Sequence, residues 1–509
     1  MDWRSILRFY AQPLHLYAAG AGGTFAGPAA FFQCSGHRRC LNVMASMWPP
    51  AIESTAMQIF LRRPFFGRSV FQCGVALGVL CLGSGQVLAS GYALREASAA
   101  AMGTAYAGAA ASNANAGYLF YNPAAVSGVG DYDLSLNLTG LILGSSGAFA
   151  ATTAAGTPAG GLTRPQDFIG DALVPAAALR YRLNDRLALG VSFTVPWGEV
   201  THYPDGWVGR YYAASTSLTV FNATPVIGYQ ITPQLSVAAG AQVQYARSRL
   251  TQAIDFGTLG ALNGFPGAVP GAMDGMADLG GHSWGAGYVV GAMWSPSPVL
   301  DLGLSYRSEV QLVLKGKEHF QYDSAGIAAT INALTGAFAD SGGRADLPTP
   351  ASVTAGARWR FADGWTALGG LEYTNWSSLR QLLVLPDNVV NPSSLTVLNW
   401  KDTWFGSIGF EFRPDDVWTL RVGTAYDMAG APPETLEPRI PDADRYWISA
   451  GVGYRWTAHL DTNFAVSHIF TPRSTLVQSA DMIGNEARGT LAGSSSSDAT
   501  LIGLEVVLR

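Results

Sequence analysis

The chain offers few residues that could carry out acid–base or nucleophilic chemistry. It has seven histidines in 509 residues, and those after residue 90 are His202, His282, His319, His459 and His468. Only His459 and His468 lie in or beside a segment with strand periodicity, and no serine and acidic residue accompany them at the spacing of a hydrolase triad. The sequence therefore predicts no catalytic residue, no cofactor and no bound metal.

Binding of apolar molecules is better supported, by two segments rich in apolar side chains. Segment 251–282 has no Lys or Arg, and segment 316–349 carries apolar residues at helical spacing. The candidate residues of a hydrophobic capture groove are Phe256, Leu259, Leu262, Phe265, Met273, Met276, Ile327, Ile331, Leu334 and Phe338. Exposed apolar segments either pack against each other or bind something. A small core between the two segments and a ligand groove are both open, and they are compatible.

The N-terminal part has the features of an export signal. Arg62, Arg63 and Arg68 precede the apolar stretch 70–82, and Ala89 ends a small-residue cleavage site. We therefore expect residues 57–89 to be a signal peptide, with residues 1–56 an extra segment or an incorrectly assigned start. All four cysteines precede the cleavage site, so the mature chain would have no disulfide and no cysteine metal site.

Beyond residue 130 the apolar residues alternate with small or polar ones, which is the period of a β-strand. Fourteen segments show this period: 131–143, 172–183, 187–197, 216–231, 234–250, 283–295, 299–315, 350–362, 365–376, 400–413, 417–428, 444–456, 459–470 and 499–508. Many are long enough to cross, when tilted, an apolar layer about 25 Å thick. Charged residues make up only 13% of the chain, which also favours a membrane environment.

Short turns and long connections alternate strictly between these segments. The long ones are 144–171, 198–215, 251–282, 316–349, 377–399, 429–443 and 471–498. This pattern is typical of an outer-membrane barrel, in which the long loops face outward and both termini lie on the periplasmic side. Closure is required because an open sheet edge cannot satisfy its backbone groups in lipid. We expect the charged residues on the polar face, such as Arg180, Arg358 and Glu411, to point into the lumen and to pair there.

Tryptophans near the ends of the predicted strands suggest aromatic girdles at the membrane interfaces. They are Trp197, Trp284, Trp294, Trp365, Trp376, Trp400, Trp418, Trp447 and Trp456.

Residues 90–130 are rich in Ala and Gly and almost uncharged, and they are too few to form a core of their own. We expect this segment to enter the barrel from the periplasm as a plug, or hatch. Asn122, Pro123 and Ala124 would form a fixed anchor about which the plug shifts. The predicted fold is all-β, a 14-stranded antiparallel transmembrane barrel over residues 131–509 with the hatch in its lumen.

Four stretches, in this order, carry a family resemblance. They are the hatch with its Asn122-Pro123-Ala124, residues 196–211 with Pro196-Trp197-Gly198, residues 347–376, and residues 419–445. The ordered set resembles the FadL-type outer-membrane transporters of long-chain fatty acids and other hydrophobic compounds. The resemblance implies a fourteen-stranded barrel, capture of ligand between loops 251–282 and 316–349, and hatch-gated release. It also implies a kink in the third strand, for which Pro196 is the candidate.

The expected function is therefore passive uptake of long-chain fatty acids or related lipophilic compounds across the outer membrane of a Gram-negative bacterium. Monoaromatic hydrocarbons or alkanes are alternative cargo, and a general porin, an adhesin or an outer-membrane lipase are more remote alternatives. The expected partners are the hydrophobic ligand and the surrounding lipid and lipopolysaccharide. The net charge of −5 gives no sign of nucleic-acid binding, and we expect a monomer.

Overall fold

The protein is described from a computed structural model that covers residues 91–128 and 130–509. The signal peptide and the segment before it lie outside the described residues. The strands are β1 (Tyr132–Thr152), β2 (Ala172–Arg182), β3 (Leu187–His202), β4 (Ser215–Thr232), β5 (Leu235–Asp255), β6 (Asp274–Ser297), β7 (Leu300–Arg307), β8 (Val313–Gln321), β9 (Ser341–Asp346), β10 (Ser352–Ala362), β11 (Trp365–Thr374), β12 (Gln381–Pro386), β13 (Ser394–Val397), β14 (Thr403–Phe412), β15 (Trp418–Asp427), β16 (Arg445–Thr457), β17 (Leu460–Phe470), β18 (Ser474–Gln478) and β19 (Thr490–Leu508).

Fourteen of these strands form a closed antiparallel barrel, which confirms the predicted fold. Closure occurs between β1 and β19, whose register runs from Leu134 opposite Leu508 to Thr152 opposite Thr490. The remaining five strands, β8, β9, β12, β13 and β18, belong to the long connections. Closure gives each strand a partner on both sides, which a backbone in lipid requires.

The outer wall is apolar and the inner wall is small or polar. In β15, Leu420 and Val422 are exposed on the lipid-facing side, whereas Gly423, Ala425 and Asp427 face inward and are buried. The two-residue period in the sequence therefore corresponds to lipid on one side and the lumen on the other.

The tryptophan girdles are only partly as predicted. Trp294, Trp365, Trp418 and Trp456 are exposed at lipid-facing positions near strand ends, and Trp284 is exposed in the middle of β6. Trp197, Trp376, Trp400 and Trp447 are instead buried. The assignment of these four was wrong because proximity to a strand end does not determine which face a side chain occupies.

The predicted strand 299–315 is wrong. β7 ends at Arg307, and the chain then turns inward before β8 resumes pairing with β6. Val310 and Leu312 are fully buried there, and glycines of β6 make the room. A Cβ at Gly285 would lie 2.6 Å from Val310 Cγ1 and 2.7 Å from Leu312 Cδ2. The loop boundary at 316 therefore moves back to residue 308.

The predicted loop 251–282 is also too long. β5 and β6 remain paired far beyond the predicted strand ends, up to Asp255 opposite Asp274. Helix α2 (Phe256–Leu262) follows directly. Helix α3 (Ile327–Thr335) occupies the next long connection between β8 and β9. The outer ends of β5, β6, β8 and β9 thus form a sheet that extends above the barrel.

The segment before β1 fills the lumen. It contains a one-turn helix α1 (Ala99–Met102) and three 3-10 helices, at Ala109–Ala111, Ala116–Phe120 and Pro123–Ser127. Nearly all of its residues are buried. Glycines of the wall allow the close fit: a Cβ at Gly303 would come within 3.0 Å of the Ala110 carbonyl, and one at Gly423 within 3.0 Å of the Thr104 backbone. Helical segments inside the barrel agree with the predicted hatch, which we call the plug.

Candidate functional site

Asn122 joins two parts of the plug to the wall. Its side chain is 0% exposed. The Nδ2 amide donates to the Ala110 carbonyl at 2.7 Å and to the Ala292 carbonyl of β6 at 3.0 Å, and Oδ1 accepts from the Ala124 amide at 2.9 Å. Pro123 occupies the first turn of the 3-10 helix, where its missing N–H is tolerated. The side chain thus has the contacts that an anchor needs.

Arg95 ties the plug to three strands of the opposite wall. Its guanidinium lies 2.9 Å from Glu372 Oε1 of β11 and 3.3 Å from Asp427 Oδ2 of β15. The same group stacks over the ring of Phe405 in β14, 4.2 Å from the centroid. Buried charged groups are stable only when they are paired in this way.

The charge network continues from the plug to an outer loop. Asp427 lies 3.6 Å from Arg445 Nη1, and Arg445 Nη2 lies 2.8 Å from Asp442 Oδ1 in the connection between β15 and β16. Asp442 Oδ2 accepts from the amides of Gly430 and Ala431, at 2.8 and 3.1 Å. A shift of the plug at Arg95 would therefore disturb contacts that reach the outer side.

Glu505 holds the start of α1 from the barrel seam. Its carboxylate accepts from Ser98 Oγ and the Ala100 amide, both at 3.0 Å. It also accepts from Ser135 Oγ of β1 at 2.7 Å and from Asn463 Nδ2 of β17 at 3.2 Å. This acceptor therefore bridges the plug and three strands.

The predicted lumenal charges are paired as expected. Arg180 lies 3.1 Å from Asp133 and donates to the Asn113 carbonyl of the plug at 2.7 Å. Arg358 pairs with Glu411, as does Arg421 at 3.1 Å. These contacts fix the plug and rigidify the wall.

The third strand is irregular at Pro196. The register with β4 shifts between Thr194, opposite Asn222, and Trp197, opposite Val220. One extra residue of β3 is accommodated, which is a β-bulge. Before the bulge even-numbered residues face inward, and after it odd-numbered residues such as Glu199 do so.

The ladder between β2 and β3 is interrupted beside this bulge. Pairing of the two strands stops at Ala177 opposite Phe193, although β2 begins at Ala172. Further out, β3 is approached again by the preceding loop, where the Gly170 amide donates to the Val200 carbonyl at 3.3 Å. The wall therefore has a gap in its hydrogen bonding between these two levels.

The plug covers the inner side of the bulge. The Leu94 amide donates to the Pro196 carbonyl, and the Gly198 amide donates to the Tyr92 carbonyl, both at 2.8 Å. Residues 92–94 thus pair with the one part of β3 that has left its neighbour β2. The plug is therefore in direct contact with the gap in the hydrogen bonding of the wall.

The first described residues of the plug lie in the outer part of the lumen. The ring of Tyr92 packs against Trp197, Trp376 and Trp400, with centroids 5.0 to 6.1 Å away. Its hydroxyl donates to the carbonyl of Pro348 at 3.0 Å. These aromatic contacts explain why three of the tryptophans assigned to the membrane interface are buried.

The two apolar segments come together above the barrel. Phe256, Phe320, Ile327 and Phe338 are buried in one cluster, and the rings of Phe256 and Phe338 meet edge to face at 5.0 Å. Leu259, Phe265, Met273 and Ile331 pack at its edge, half-buried. Met276 is half-buried in β6, outside this cluster. Leu262 is 44% exposed and Leu334 is 75% exposed. We call this set, without Met276, the outer loop cluster. It is a local core with apolar residues left at its surface.

A buried carboxylate lies below the outer loop cluster. Burial raises the pKa of Glu318 to about 7. A hydrogen bond from Asn391 Nδ2, at 3.3 Å, opposes this effect and lowers the pKa in part. The Asn391 amide also donates to the Ala339 carbonyl at 2.7 Å. Glu318 therefore changes charge near neutral pH at the base of the loops.

Arg95 and Tyr92 were not anticipated from the sequence. Arg95 and Glu96 are the only charged residues between 91 and 128, and a charge in so apolar a segment signals a buried ion pair. Nothing comparable marks Tyr92, whose partners are hundreds of residues away.

The arrangement is a lumen closed by an anchored plug, an irregular wall beside it and an apolar cluster outside. The family description "Outer membrane protein transport protein (OMPP1/FadL/TodX)" matches residues 80–509. The chain belongs to this family. It is an outer-membrane protein, and the resemblance to FadL-type transporters is confirmed.

The match with family relatives extends over almost their whole length. The long-chain fatty acid transport protein of Escherichia coli K12 is 25% identical over 465 residues, which is 85% of this chain and 98% of the relative. An outer membrane protein of Neisseria meningitidis serogroup B is 28% identical over 464 residues, with the same coverage of both chains.

Solved structures show the same fold. A Pseudomonas aeruginosa FadL homologue superposes with a TM-score of 0.74 at 23% identity, covering 82% of this chain and 99% of that one. A toluene transporter of Ralstonia pickettii gives a TM-score of 0.57 at 18% identity, covering 80% and 97%.

Proposed function

We propose that this FadL-family protein takes up hydrophobic molecules passively across the outer membrane, without a catalytic step or a cofactor. Ligand is captured at the outer loop cluster, passes to the lumen above the plug, and leaves when the plug shifts. The observation that carries the proposal is the pairing of plug residues 92–94 with β3 at the bulge of Pro196. Movement of the plug would uncover the gap between β2 and β3.

The capture step is supported by the apolar surface that the loops leave exposed. Burial of a leucine-sized group contributes about 1.5–3 kcal/mol, so Leu262 and Leu334 alone can hold a hydrocarbon chain weakly. Weak binding suits transport, since the ligand must leave again. Ligand binding can move the plug only if the shifted state binds the ligand better.

Long-chain fatty acids are the first candidate for the cargo, since the relative from Escherichia coli is named for their transport. Neutral aromatic hydrocarbons or alkanes are the second. One observation favours the neutral class: Lys315 and Lys317 are exposed on the outer face of β8, whereas Leu314 and Phe320 of the same strand face the loops. Their exposed positions direct these cations away from a carboxylate held in the outer loop cluster.

A general porin, an adhesin and a lipase are less well supported. The plug fills the lumen that a porin would leave open. Within residues 91–128 and 130–509, His319 contacts Asp340 at 2.6 Å, and no serine hydrogen-bonds to the His319 ring. We propose that the protein acts as a monomer among outer-membrane lipid and lipopolysaccharide.

Uptake by whole cells tests the proposal. The protein is expressed in a Gram-negative host that lacks its own transporter, and entry of labelled oleate and toluene is measured at low concentration. We expect uptake of at least one ligand well above the empty vector. Leu262→Asp together with Leu334→Asp should lower it about 100-fold, since each of the two lost contacts is worth roughly tenfold or more.

The matched control is Ile483→Asp, an apolar residue 64% exposed in the connection between β18 and β19, outside the cluster. It should transport like the unmodified protein. Uptake no better than the empty vector for both ligands would overturn the proposed function.

A further inference from the structure

A row of basic side chains crosses the sheet that extends above the barrel. Arg247 of β5 lies opposite His282 of β6, His282 lies opposite Lys315 of β8, and Lys315 lies opposite Arg344 of β9. Directly opposite residues of neighbouring strands point to the same face. Three strand spacings separate the ends of the row, so it is about 14 Å wide.

A second row lies one step further from the membrane. Arg249 pairs in register with Gly280, and Gly280 with Lys317. Arg247, Arg249, Lys315, Lys317 and Arg344 therefore share one exposed face. We call these five residues the basic face.

The basic face looks outward, away from the lumen and the outer loop cluster. Buried Leu314 and Phe320 alternate with exposed Lys315 and Lys317 along β8. On β5 and β6 the next residues toward the membrane on this face are Tyr245 and Trp284, whose rings lie 4.9 Å apart. Aromatic residues of this kind sit at the lipid headgroup level, so the basic face begins just above the membrane surface.

Acidic side chains balance this face only in part. Asp278 of β6 pairs with Arg249 at 2.5 Å. Asp346 follows Arg344 by two residues on β9, and the carboxylate of Asp387 lies beside Gly342, the residue opposite Lys317. Within the described part of the chain, Arg247, Lys315, Lys317 and Arg344 have no ion pair. Like charges opposite each other on neighbouring strands are destabilising, so this row calls for an anionic partner.

We propose that the basic face binds the phosphate groups of a glycolipid in the outer leaflet of the outer membrane, of the lipid A type. The charge, the outward direction and the height above Tyr245 and Trp284 all fit a phosphate at the headgroup level. Lys and Arg hold phosphate by charge-assisted hydrogen bonds. The inference rests on the outer-membrane location, and it concerns a site separate from the path of the transported ligand.

Lipid binding to the purified, detergent-solubilised protein tests this site. The probe is fluorescent lipid A, compared with the same lipid after removal of its phosphates. A cation beside an anionic lipid surface strengthens binding about fivefold. K315Q/K317Q/R344Q should therefore lower the affinity for lipid A roughly 100-fold, and lipid A without phosphates should bind the unmodified protein as weakly as the variant.

Two further variants serve as controls. K315R/K317R/R344K keeps the charges and should bind like the unmodified protein. R164Q/R380Q/R473Q removes three exposed cations from other outer connections and should change affinity less than twofold. Equal binding by K315Q/K317Q/R344Q, or an equal loss in R164Q/R380Q/R473Q, would overturn the site.

Oleate is included as a competitor, and displacement of lipid A by oleate at equal concentration would assign the basic face to carboxylate cargo and overturn the proposal. Cellular uptake by K315Q/K317Q/R344Q should match that of the unmodified protein. Loss of lipid binding with intact uptake thus separates this inference from the transport proposal.

Discussion

Gly291 of β6 lies so close to Asn122 that a Cβ at residue 291 would stand less than 3.0 Å from Asn122 Oδ1. The same Cβ would also crowd Pro123, so the wall and the anchor of the plug fit each other only with glycine at this position.

Gly291→Ala should therefore displace the plug anchor while the barrel remains folded. We expect a rise in ion conductance through single proteins in planar bilayers, because the Asn122 hydrogen bonds to Ala110 and Ala292 are strained or lost. The control is Gly280→Ala on the same strand, where a Cβ meets nothing within 4 Å. Equal conductance of both variants would contradict the role of Asn122.

Arg95→Met should loosen the plug more severely. It leaves Glu372 without its cation and Asp427 with the longer contact to Arg445, and breaking a buried pair costs about 3–5 kcal/mol. Increased proteolysis of the plug and a higher conductance are the expected results. Arg455→Met removes an exposed pair with Asp461 and should have almost no effect. A plug as protected as in the unmodified protein would show that the Arg95 pairs do not hold it.

Deletion of Pro196 should abolish uptake with the barrel intact. Because inward positions change from even to odd at the bulge, removal of one residue leaves every side chain of β3 on its present face. β3 could then pair with β2 beyond Phe193 and close the gap. Pro196→Ala keeps the extra residue and should retain most of the uptake. Normal uptake by the deletion variant would exclude the gap as the exit.

The outer loops should open more readily as pH rises. Burial raises the pKa of Glu318 to about 7, so the folded loops hold this proton more tightly than the opened loops do. That contribution to stability is full below the usual pKa of a glutamate and is lost as pH rises through 7. Hydrogen exchange of residues 323–340, corrected for the intrinsic rate, should be slower at pH 5.5 than at pH 8.5.

Glu318→Gln should remove this difference, since the amide stays neutral and can still contact Asn391. An unchanged pH dependence in the variant would show that another group is responsible, with Asp340 and His319 the nearest candidates.

Much of the fold could be predicted from the sequence because lipid imposes a two-residue period on every strand that crosses it. The period identified β15 and β16 correctly. It failed at Ser308 to Leu312, where Gly285 and Gly287 admit an inward turn that no local pattern announces. Local alternation also cannot tell where β5 and β6 leave the membrane, since they remain paired well above it.

The candidate site was predictable in composition and not in geometry. The apolar residues of the two segments stand out because few charges accompany them. Seven of the ten predicted residues gather in one cluster or at its edge, whereas Met276 lies outside it and Leu262 and Leu334 are exposed. Arg95, Tyr92 and the gap between β2 and β3 depend on partners that are close only once the barrel is closed. Their functional roles remain predictions for the experiments above.

The seam between β1 and β19 joins residues that lie more than 330 positions apart in the chain. During biogenesis, one edge of β1 has no partner strand until β19 has been synthesised. An unpaired edge of this kind can pair with other polypeptides. The plug is synthesised before any wall exists to enclose it. Because the plug is rich in alanine and glycine, it exposes little apolar surface during that interval, and this limits aggregation of the unfolded chain.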